Sequence, residues 1–253
     1  MEGEASKRRR VELLDTLRGL ALIHMVLFHT AYDLVYLFGV TPSPFLRWFM
    51  GTSVICTAAF VFLAGITVRF SRSAATHGAR LLLIAAGFTL VTAFVFPGSA
   101  IYFGALHLIA TGMLVYGALS NFFNRIPWWV GLILSAFIFA ATYNADKGVF
   151  GFGQLSVNIP EQLTLGSMMY PFGFIDHSFS SVDFLPVLPW LFLFLCGVFI
   201  GKPVVEKKLP EFAYRDFCPP VTWLGRNSLI IYVLHQPIVF CLLYIIFEII
   251  LKK

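Results

Sequence analysis

The stretch that decides the fold is Leu14–Leu34, LDTLRGLALIHMVLFHTAYDL. It is long and apolar enough to cross a membrane as one helix, yet it contains Asp15, Arg18, His29 and Asp33. Ionisable side chains are costly inside a hydrocarbon layer, where they usually pair with one another or serve a function. The stretch therefore predicts both a membrane span and a candidate site within it.

The polar side chains of this predicted helix fall on one face. At about 100° per residue, positions 18, 22, 25, 29, 33 and 36 form a single stripe, which we call the polar stripe. With a rise of about 1.5 Å per residue, Arg18 and His29 lie roughly 16 Å apart along it. A long, narrow molecule would fit along such a face.

Composition sets the class of protein. The chain has 253 residues, of which 58% are hydrophobic and 12% charged, and its mean hydropathy is +0.83. These values exclude a soluble globular domain and predict an all-α, polytopic membrane protein. The net charge of +5 comes from basic residues at the ends of apolar runs, which indicates membrane topology and argues against nucleic acid as a partner.

The apolar runs predict about seven transmembrane helices in a single domain, 1–253. They cover roughly 13–38, 47–70, 80–97, 103–120, 127–143, 184–201 and 224–250. Residues 1–12 form a basic N-terminus, and 144–183 form a long loop. Loops of this length are usually functional lids or disordered, and its apolar segment LTLGSMMYPFGFI favours a lid or a re-entrant element.

The basic residues predict the orientation. A cytoplasmic N-terminus places only Arg47, Lys147, Lys252 and Lys253 on the outer side and every other lysine and arginine on the inner side. The long loop is then an outer loop.

His29 is the leading candidate for a general base or acyl carrier, because imidazole titrates near neutral pH. Asp33, one helical turn further along the polar stripe, is expected to orient it. The alternative is a His–Asp pair that only satisfies itself between helices. For Arg18 the functional interpretation is a phosphate or carboxylate grip. The alternatives are snorkelling to the headgroups or pairing with Asp15.

A second group of candidates lies on later helices. His107 is either a packed histidine or part of the acceptor side. Asp183 is a carboxylate at the start of the sixth helix or an acceptor contact. Trp190 is either a substrate contact or part of an aromatic belt. His235, with Asn227 at the inner end of the last helix, lines the same channel or makes structural hydrogen bonds.

The sequence does not indicate a metal site or a disulfide framework. Its four cysteines show neither CxxC nor Cys/His ligand spacing. The glycines at 148, 151 and 153 lack the spacing of a nucleotide-binding loop, and no GxSxG elbow occurs.

Four motifs resemble those of a known family. They are LDTLRGLA followed by MVLFH, FGALH at Phe103–His107, DFLPVLPW at Asp183–Trp190, and LGRNSLIIYVLHQP at Leu224–Pro237. Together they resemble bacterial relatives of the heparan-α-glucosaminide N-acetyltransferase catalytic domain, within the wider superfamily of transmembrane acyltransferases. The first motif is similar to a family helix in which an arginine and a histidine are separated by ten residues, as Arg18 and His29 are here.

The resemblance implies an enzyme that moves a small acyl group, with acetyl expected. The donor would be cytoplasmic acyl-CoA (acetyl-CoA), and the acceptor a hydroxyl or amine of a sugar, glycan or lipid-linked molecule on the outer side. His29 and Asp33 would be catalytic. Arg18, Asn227 and His235 would bind the donor, and His107, Asp183 and Trp190 the acceptor. The expected location is the bacterial inner membrane among its lipids, and a homodimer is compatible with the sequence.

A proton- or ion-coupled transporter is the competing hypothesis, because buried His, Asp and Arg residues also relay protons or bind ions. A third hypothesis is a non-catalytic scaffold descended from such enzymes. Dependence on a thioester donor distinguishes the enzyme from both.

Overall fold

The structure is a computed structural model that describes residues 9–95, 100–160, 169–175, 179–181, 183–206 and 209–251. Within these ranges the chain is almost entirely α-helical. Its helices are α1 (Glu12–Tyr36), α2 (Pro44–Val68), α3 (Ala74–Val95), α4 (Ala105–Arg125), α5 (Trp128–Ala141), α6 (Val187–Glu206), α7 (Pro219–Arg226) and α8 (Ser228–Tyr244).

Seven helical segments in the described part are long and apolar enough to cross a membrane. They are Glu12–Tyr36, Pro44–Val68, Ala74–Val95, Ala105–Arg125, Trp128–Lys147, Val187–Glu206 and Ser228–Ile250. The prediction of an all-α membrane protein with about seven spans is therefore confirmed.

The last predicted helix, 224–250, is divided in the structure. Pro219 and Pro220 occupy the first turn of the short helix α7, where proline is well tolerated because its missing N–H would have no helical partner. Asn227 then leaves the helical conformation (φ −103°, ψ 25°), and α8 begins at Ser228. The helix continues beyond Tyr244 as a π-helix over Ile245–Ile250.

The segment 144–183 contains a small hairpin. Strand β1 (Val149–Phe150) pairs antiparallel with β2 (Val157–Asn158), and 3₁₀ turns lie at Ala145–Lys147, Gly153–Leu155 and Tyr170–Phe172. The apolar segment predicted as a lid or re-entrant element covers 163–175; its first part lies outside the described residues, and its described part, 169–175, contains the short 3₁₀ turn Tyr170–Phe172.

The chain divides into two compact units, whereas the sequence predicts one domain. Unit 1 comprises Met1–Phe60 and Lys208–Lys253, and unit 2 comprises Val61–Lys207. The boundary falls inside α2. The sequence shows no linker there, because the apolar composition that makes α2 a span continues across position 60.

In unit 1, α1 packs against both α7 and α8. The backbones of α1 and α7 approach so closely that a Cβ at Gly225 would overlap the carbonyl oxygen of Asp15. The first half of α2 is tied to α1 by two hydrogen bonds. Cys56 Sγ donates to Ala21 O at 3.0 Å, and His24 Nε2 lies 2.8 Å from Thr52 Oγ1.

In unit 2, α3 packs on α4, α5 on α6, and α4 on α6. Phe194 of α6 is completely buried in this core. Arg69, after the end of α2, donates from Nε to Val198 O at 2.7 Å and from Nη1 to Asn124 Oδ1 at 2.8 Å. Lys202 Nζ donates to Asn124 O at 2.8 Å, which places a cation at the C-terminus of α4 where the helix dipole favours it.

The close approach of α1 and α7 gives a test of the fold. We expect Gly225→Ala to lower the stability by about 1–3 kcal/mol, because its Cβ would overlap the Asp15 carbonyl. The matched control is Gly51→Ala, since a Cβ at Gly51 meets nothing within 4 Å. Thermal unfolding in detergent measures both variants. Equal melting temperatures would contradict the described packing.

Candidate active site

The centre of the site is a pair of imidazole rings in unit 1. His29 of α1 and His235 of α8 have ring centroids 5.0 Å apart. His235 Nδ1 lies 2.6 Å from the carbonyl oxygen of Tyr232. A carbonyl only accepts hydrogen bonds, so Nδ1 carries the proton, and a neutral His235 ring has its lone pair on Nε2. The pair can therefore both accept and donate protons.

Asp33 and Gln236 form a second polar contact between the same two helices. Gln236 Nε2 donates to Asp33 Oδ2 at 3.0 Å and lies 3.2 Å from Oδ1. Asp33 is only 1% exposed. The carboxylate that the sequence assigns to His29 is thus engaged by Gln236, which reaches it from α8. Sequence periodicity identified the correct face of α1 but not the partner, because the partner lies on another helix.

An ionic cluster lies at the other end of the polar stripe. Asp15 is buried and accepts from Arg10 Nε at 2.5 Å and from Arg18 Nη1 at 3.1 Å. Arg18 Nη1 also lies 3.4 Å from Gly225 O. The structure therefore contains the Asp15–Arg18 pair that the sequence left as an alternative to an anion grip. The pair with Asp15 fixes the position of the Arg18 guanidinium, and a fixed guanidinium is compatible with binding an anionic ligand.

A network of side chains extends this cluster to α7. Arg226 is paired with Glu12 and lies 3.7 Å from Asp216 Oδ2. The hydrogen bond from Arg226 to Glu12 raises the pKa of Arg226 above its usual value. Thr222 donates to Asp216 Oδ1 at 2.6 Å, and it lies 2.8 Å from Thr16 Oγ1. Asp216, Thr222 and Arg226 were not predicted as site residues, because only the fold brings them to α1.

The remaining candidate in unit 1, Asn227, lies between α7 and α8. Its Nδ2 donates to Trp223 O at 2.9 Å, so its side chain closes the end of α7. This contact gives Asn227 a structural role, and its predicted role in binding the donor stays a prediction.

His107 lies in unit 2 as a well-packed side chain. Thr89 Oγ1 donates to Ile101 O at 2.6 Å, so this hydroxyl accepts from His107 Nε2, which is 3.3 Å away. Phe103 covers the ring at a centroid distance of 5.5 Å. These contacts fit the alternative of a satisfied, packed histidine.

The sequence places Asp183 at the start of the sixth span. In the structure its carboxylate instead binds the start of α4. Its Oδ2 accepts from the backbone N–H of Ala105 at 3.1 Å, at the start of α4, whereas α6 begins only at Val187. Leu185 N donates to Phe103 O at 2.8 Å, so the motifs FGALH and DFLPVLPW are joined to each other. Trp190 packs on Phe139 of α5 at 6.1 Å between ring centroids.

The site residues thus fall into two groups. Unit 1 contains Arg18, His29, Asp33, Asn227 and His235, and unit 2 contains His107, Asp183 and Trp190. Within the described ranges, no group of three or more His, Cys, Asp and Glu side chains could hold a metal ion. Gln236 is the residue that sequence analysis missed in the first group. The signal was its position between His235 and Pro237 on the last helix.

The ionic cluster gives a second test. We expect Asp15→Asn to destabilise the protein by more than about 1 kcal/mol, because it leaves the partly buried Arg18 without its carboxylate. Arg10→Ala should cost less than about 1 kcal/mol, since the Arg10 side chain is 57% exposed and contributes a surface pair. Chemical denaturation in detergent compares the two. A larger loss for Arg10→Ala would contradict this order.

A third test concerns the contact between the two motifs of unit 2. Asp183→Ala removes an acceptor from the first turn of α4 and should cost at least about 1 kcal/mol. Asp183→Asn keeps an oxygen in the same place and should cost less. Thermal unfolding of both variants measures the difference. An alanine variant as stable as the asparagine variant would show that the capping contact is not important.

Comparison with known proteins identifies the family of the chain. The family model described as "Heparan-alpha-glucosaminide N-acetyltransferase, catalytic" matches residues 10–237, which includes both groups of site residues. No curated protein and no solved structure matches the chain.

Proposed function

Because the chain belongs to the heparan-alpha-glucosaminide N-acetyltransferase catalytic family, we propose that it transfers an acetyl group from acetyl-CoA to an acceptor across the bacterial inner membrane. Membership of this family makes it a membrane protein of the acetyltransferase type. The observation that carries the finer proposal is the His29–His235 pair, whose ring centroids are 5.0 Å apart. His29 lies on α1, the helix that also holds Arg18.

In this proposal the donor lies along α1. Arg18 lies near one end of this helix, beside the cluster of arginines formed with Arg10 and Arg226. Guanidinium groups bind phosphate oxygens in a bidentate manner, and CoA carries several phosphates. Arg18 and His29 are eleven positions apart, which corresponds to roughly 16 Å along a helix. An extended pantetheine arm can bridge this distance and bring the thioester to the imidazoles.

The chemistry assigned to His29 is general base catalysis. Its imidazole takes the proton of the acceptor hydroxyl or amine as that oxygen or nitrogen attacks the thioester carbonyl. A new C–O or C–N bond forms, the C–S bond breaks, and the proton passes from the imidazolium to the departing thiolate. If His29 carries the acetyl group instead, the route has two steps: its imidazole attacks the thioester and the CoA thiol leaves, and the acceptor then attacks the acetyl-imidazole and frees the ring.

The other predicted residues receive lesser roles. His235 holds the second ring of the pair, and Asp33 acts on the site through Gln236. His107, Asp183 and Trp190 make structural contacts in unit 2, so the proposal assigns no chemical step to them. The basic N-terminus on the cytoplasmic side would receive the donor there, because acetyl-CoA is made in the cytoplasm and the positive-inside rule favours this orientation. The acceptor would then enter from the outer side.

The acceptor class follows from the family name, which contains a glucosaminide. Glucosamine is therefore the first acceptor to test, with glucose as its hydroxyl-only counterpart. A sugar carried on a glycan or a lipid would present the same groups to His29. The bound donor and the acceptor would meet at the imidazole pair.

The proposed function is tested with His29→Ala in purified, reconstituted protein. Acetyl-CoA should raise the melting temperature of the wild type and of the variant, because Arg18 is unchanged. Transfer of labelled acetyl to glucosamine should fall by at least about 100-fold in the variant. The control is His24→Ala, since His24 is a histidine of the same helix that is bound to Thr52 away from the pair.

Two results would contradict the proposal. Absence of thermal protection by acetyl-CoA in the wild type would contradict acetyl-CoA as the donor. A His29→Ala variant that transfers acetyl as fast as the His24→Ala control would contradict the role of His29 as general base. Ion flux in liposomes without any dependence on a thioester would instead support the transporter hypothesis.

A further inference from the structure

The carboxamide of Gln236 has a fixed orientation. The NH₂ group of the amide faces Asp33, because Nε2 is the atom that donates to the carboxylate oxygens, which accept. Nε2 lies 3.0 and 3.2 Å from the two oxygens of Asp33. The carbonyl oxygen, Oε1, therefore points away from Asp33. Because Asp33 is almost completely buried, water does not compete for this contact.

Oε1 of Gln236 lacks a donor. This atom is buried, and it has no hydrogen-bond partner in the part of the chain that the structure describes. Buried polar atoms in native proteins are nearly always paired, and the requirement is stricter in a membrane, where water is scarce. An oxygen that is held in one orientation and left without a donor fits a ligand that brings an O–H or N–H group.

The position of this oxygen relates it to the proposed chemistry. Gln236 follows His235, whose ring lies 5.0 Å from that of His29. Asp33, which holds the amide, lies on α1 one helical turn beyond His29, in the direction away from Arg18. Phosphates held at Arg18 would place the pantetheine arm on the near side of His29. Gln236 lies beyond the point where the thioester would end.

We propose that Gln236 Oε1 binds the acyl acceptor, by accepting a hydrogen bond from a hydroxyl or amine group, and that Asp33 is the positioning residue that fixes the amide. This inference rests on the proposed function and adds to it a residue that binds the acceptor. The attacking oxygen or nitrogen would be placed between an imidazole that takes its proton and a carbonyl that orients it. The class of ligand is a polyol or amino sugar.

Pantetheine offers the same chemistry, since it contains amide N–H groups. The two sources are separated by kinetics. A contact with the acceptor changes the KM for the acceptor and leaves the KM for acetyl-CoA unchanged. A contact with pantetheine does the opposite.

Two variants test the inference in reconstituted full-length protein, with acetyl-CoA as donor and glucosamine as acceptor. Gln236→Met keeps the length of the side chain and removes the oxygen. Asp33→Asn offers an NH₂ group to Gln236, so the amide can turn and use Oε1 within the protein. Both variants should raise the KM for glucosamine by about tenfold, the effect of one hydrogen bond, and leave the KM for acetyl-CoA unchanged.

The matched control is Thr52→Val. It also removes a hydrogen bond between α1 and another helix of unit 1, because Thr52 is bound to His24. Both KM values should remain those of the wild type in this variant. Thermal protection by acetyl-CoA shows that each variant is folded. If Gln236→Met does not fold, Asp33→Asn still tests the inference, because a side chain with both an oxygen and an NH₂ group no longer holds the amide in one orientation, and no side chain is shortened.

The outcomes distinguish this inference from the proposed function. Unchanged KM for glucosamine in a folded variant overturns the role of Gln236 and leaves the proposed function intact. An increase confined to the KM for acetyl-CoA assigns the oxygen to pantetheine and also overturns the inference. Wild-type protein that is protected by acetyl-CoA but acetylates neither glucosamine nor glucose overturns the acceptor class. Only the loss of protection in the wild type counts against the donor.

Discussion

The structure of unit 1 depends on giving each ionisable side chain of α1, a membrane span, a polar partner within the protein. A hydrocarbon layer offers no water to a buried carboxylate or guanidinium, so each group requires a partner from the protein. The C-terminal helices supply these partners. Gly225 O and Arg226 approach the Asp15–Arg18 end of α1, and Gln236 pairs with Asp33 at the other. The first and last parts of the chain are held together by these contacts.

The same requirement explains why the helix packing is so close. Arg18 reaches the carbonyl oxygen of Gly225 because α7 lies against α1 without an intervening side chain. A larger residue at Gly225 would separate the backbones and would move Arg226 away from Glu12 and Asp15. Packing and electrostatics therefore depend on each other at this end of the helix. A polar stripe in a membrane helix is tolerated only where a second helix is close enough to satisfy it.

Sequence analysis predicted the spans well, because the transfer of apolar side chains into lipid is local and can be summed along the chain. It also found the face of α1 that carries Arg18, His29 and Asp33, since helical periodicity is local too. It did not find that Pro219 and Pro220 start a separate short helix, α7, or that the chain breaks at Asn227 before α8 begins. It did not find that Asp33 binds Gln236, or that Asp183 serves α4, because those contacts join residues 203 and 78 positions apart.

The four family motifs correspond to two pairs of contacts. The first motif meets the last one through Arg18 and Gly225 and through the rings of His29 and His235, whereas FGALH and DFLPVLPW meet through Asp183 and Ala105. A motif residue can therefore be required for folding, for chemistry or for both. In unit 2 every predicted residue has a packing or capping contact that accounts for it. In unit 1, ion pairs account for Asp15 and Arg18, but no contact among the described residues accounts for the buried amide oxygen of Gln236. This difference, together with the adjacent rings of His29 and His235, is the reason why we propose His29 for the chemistry.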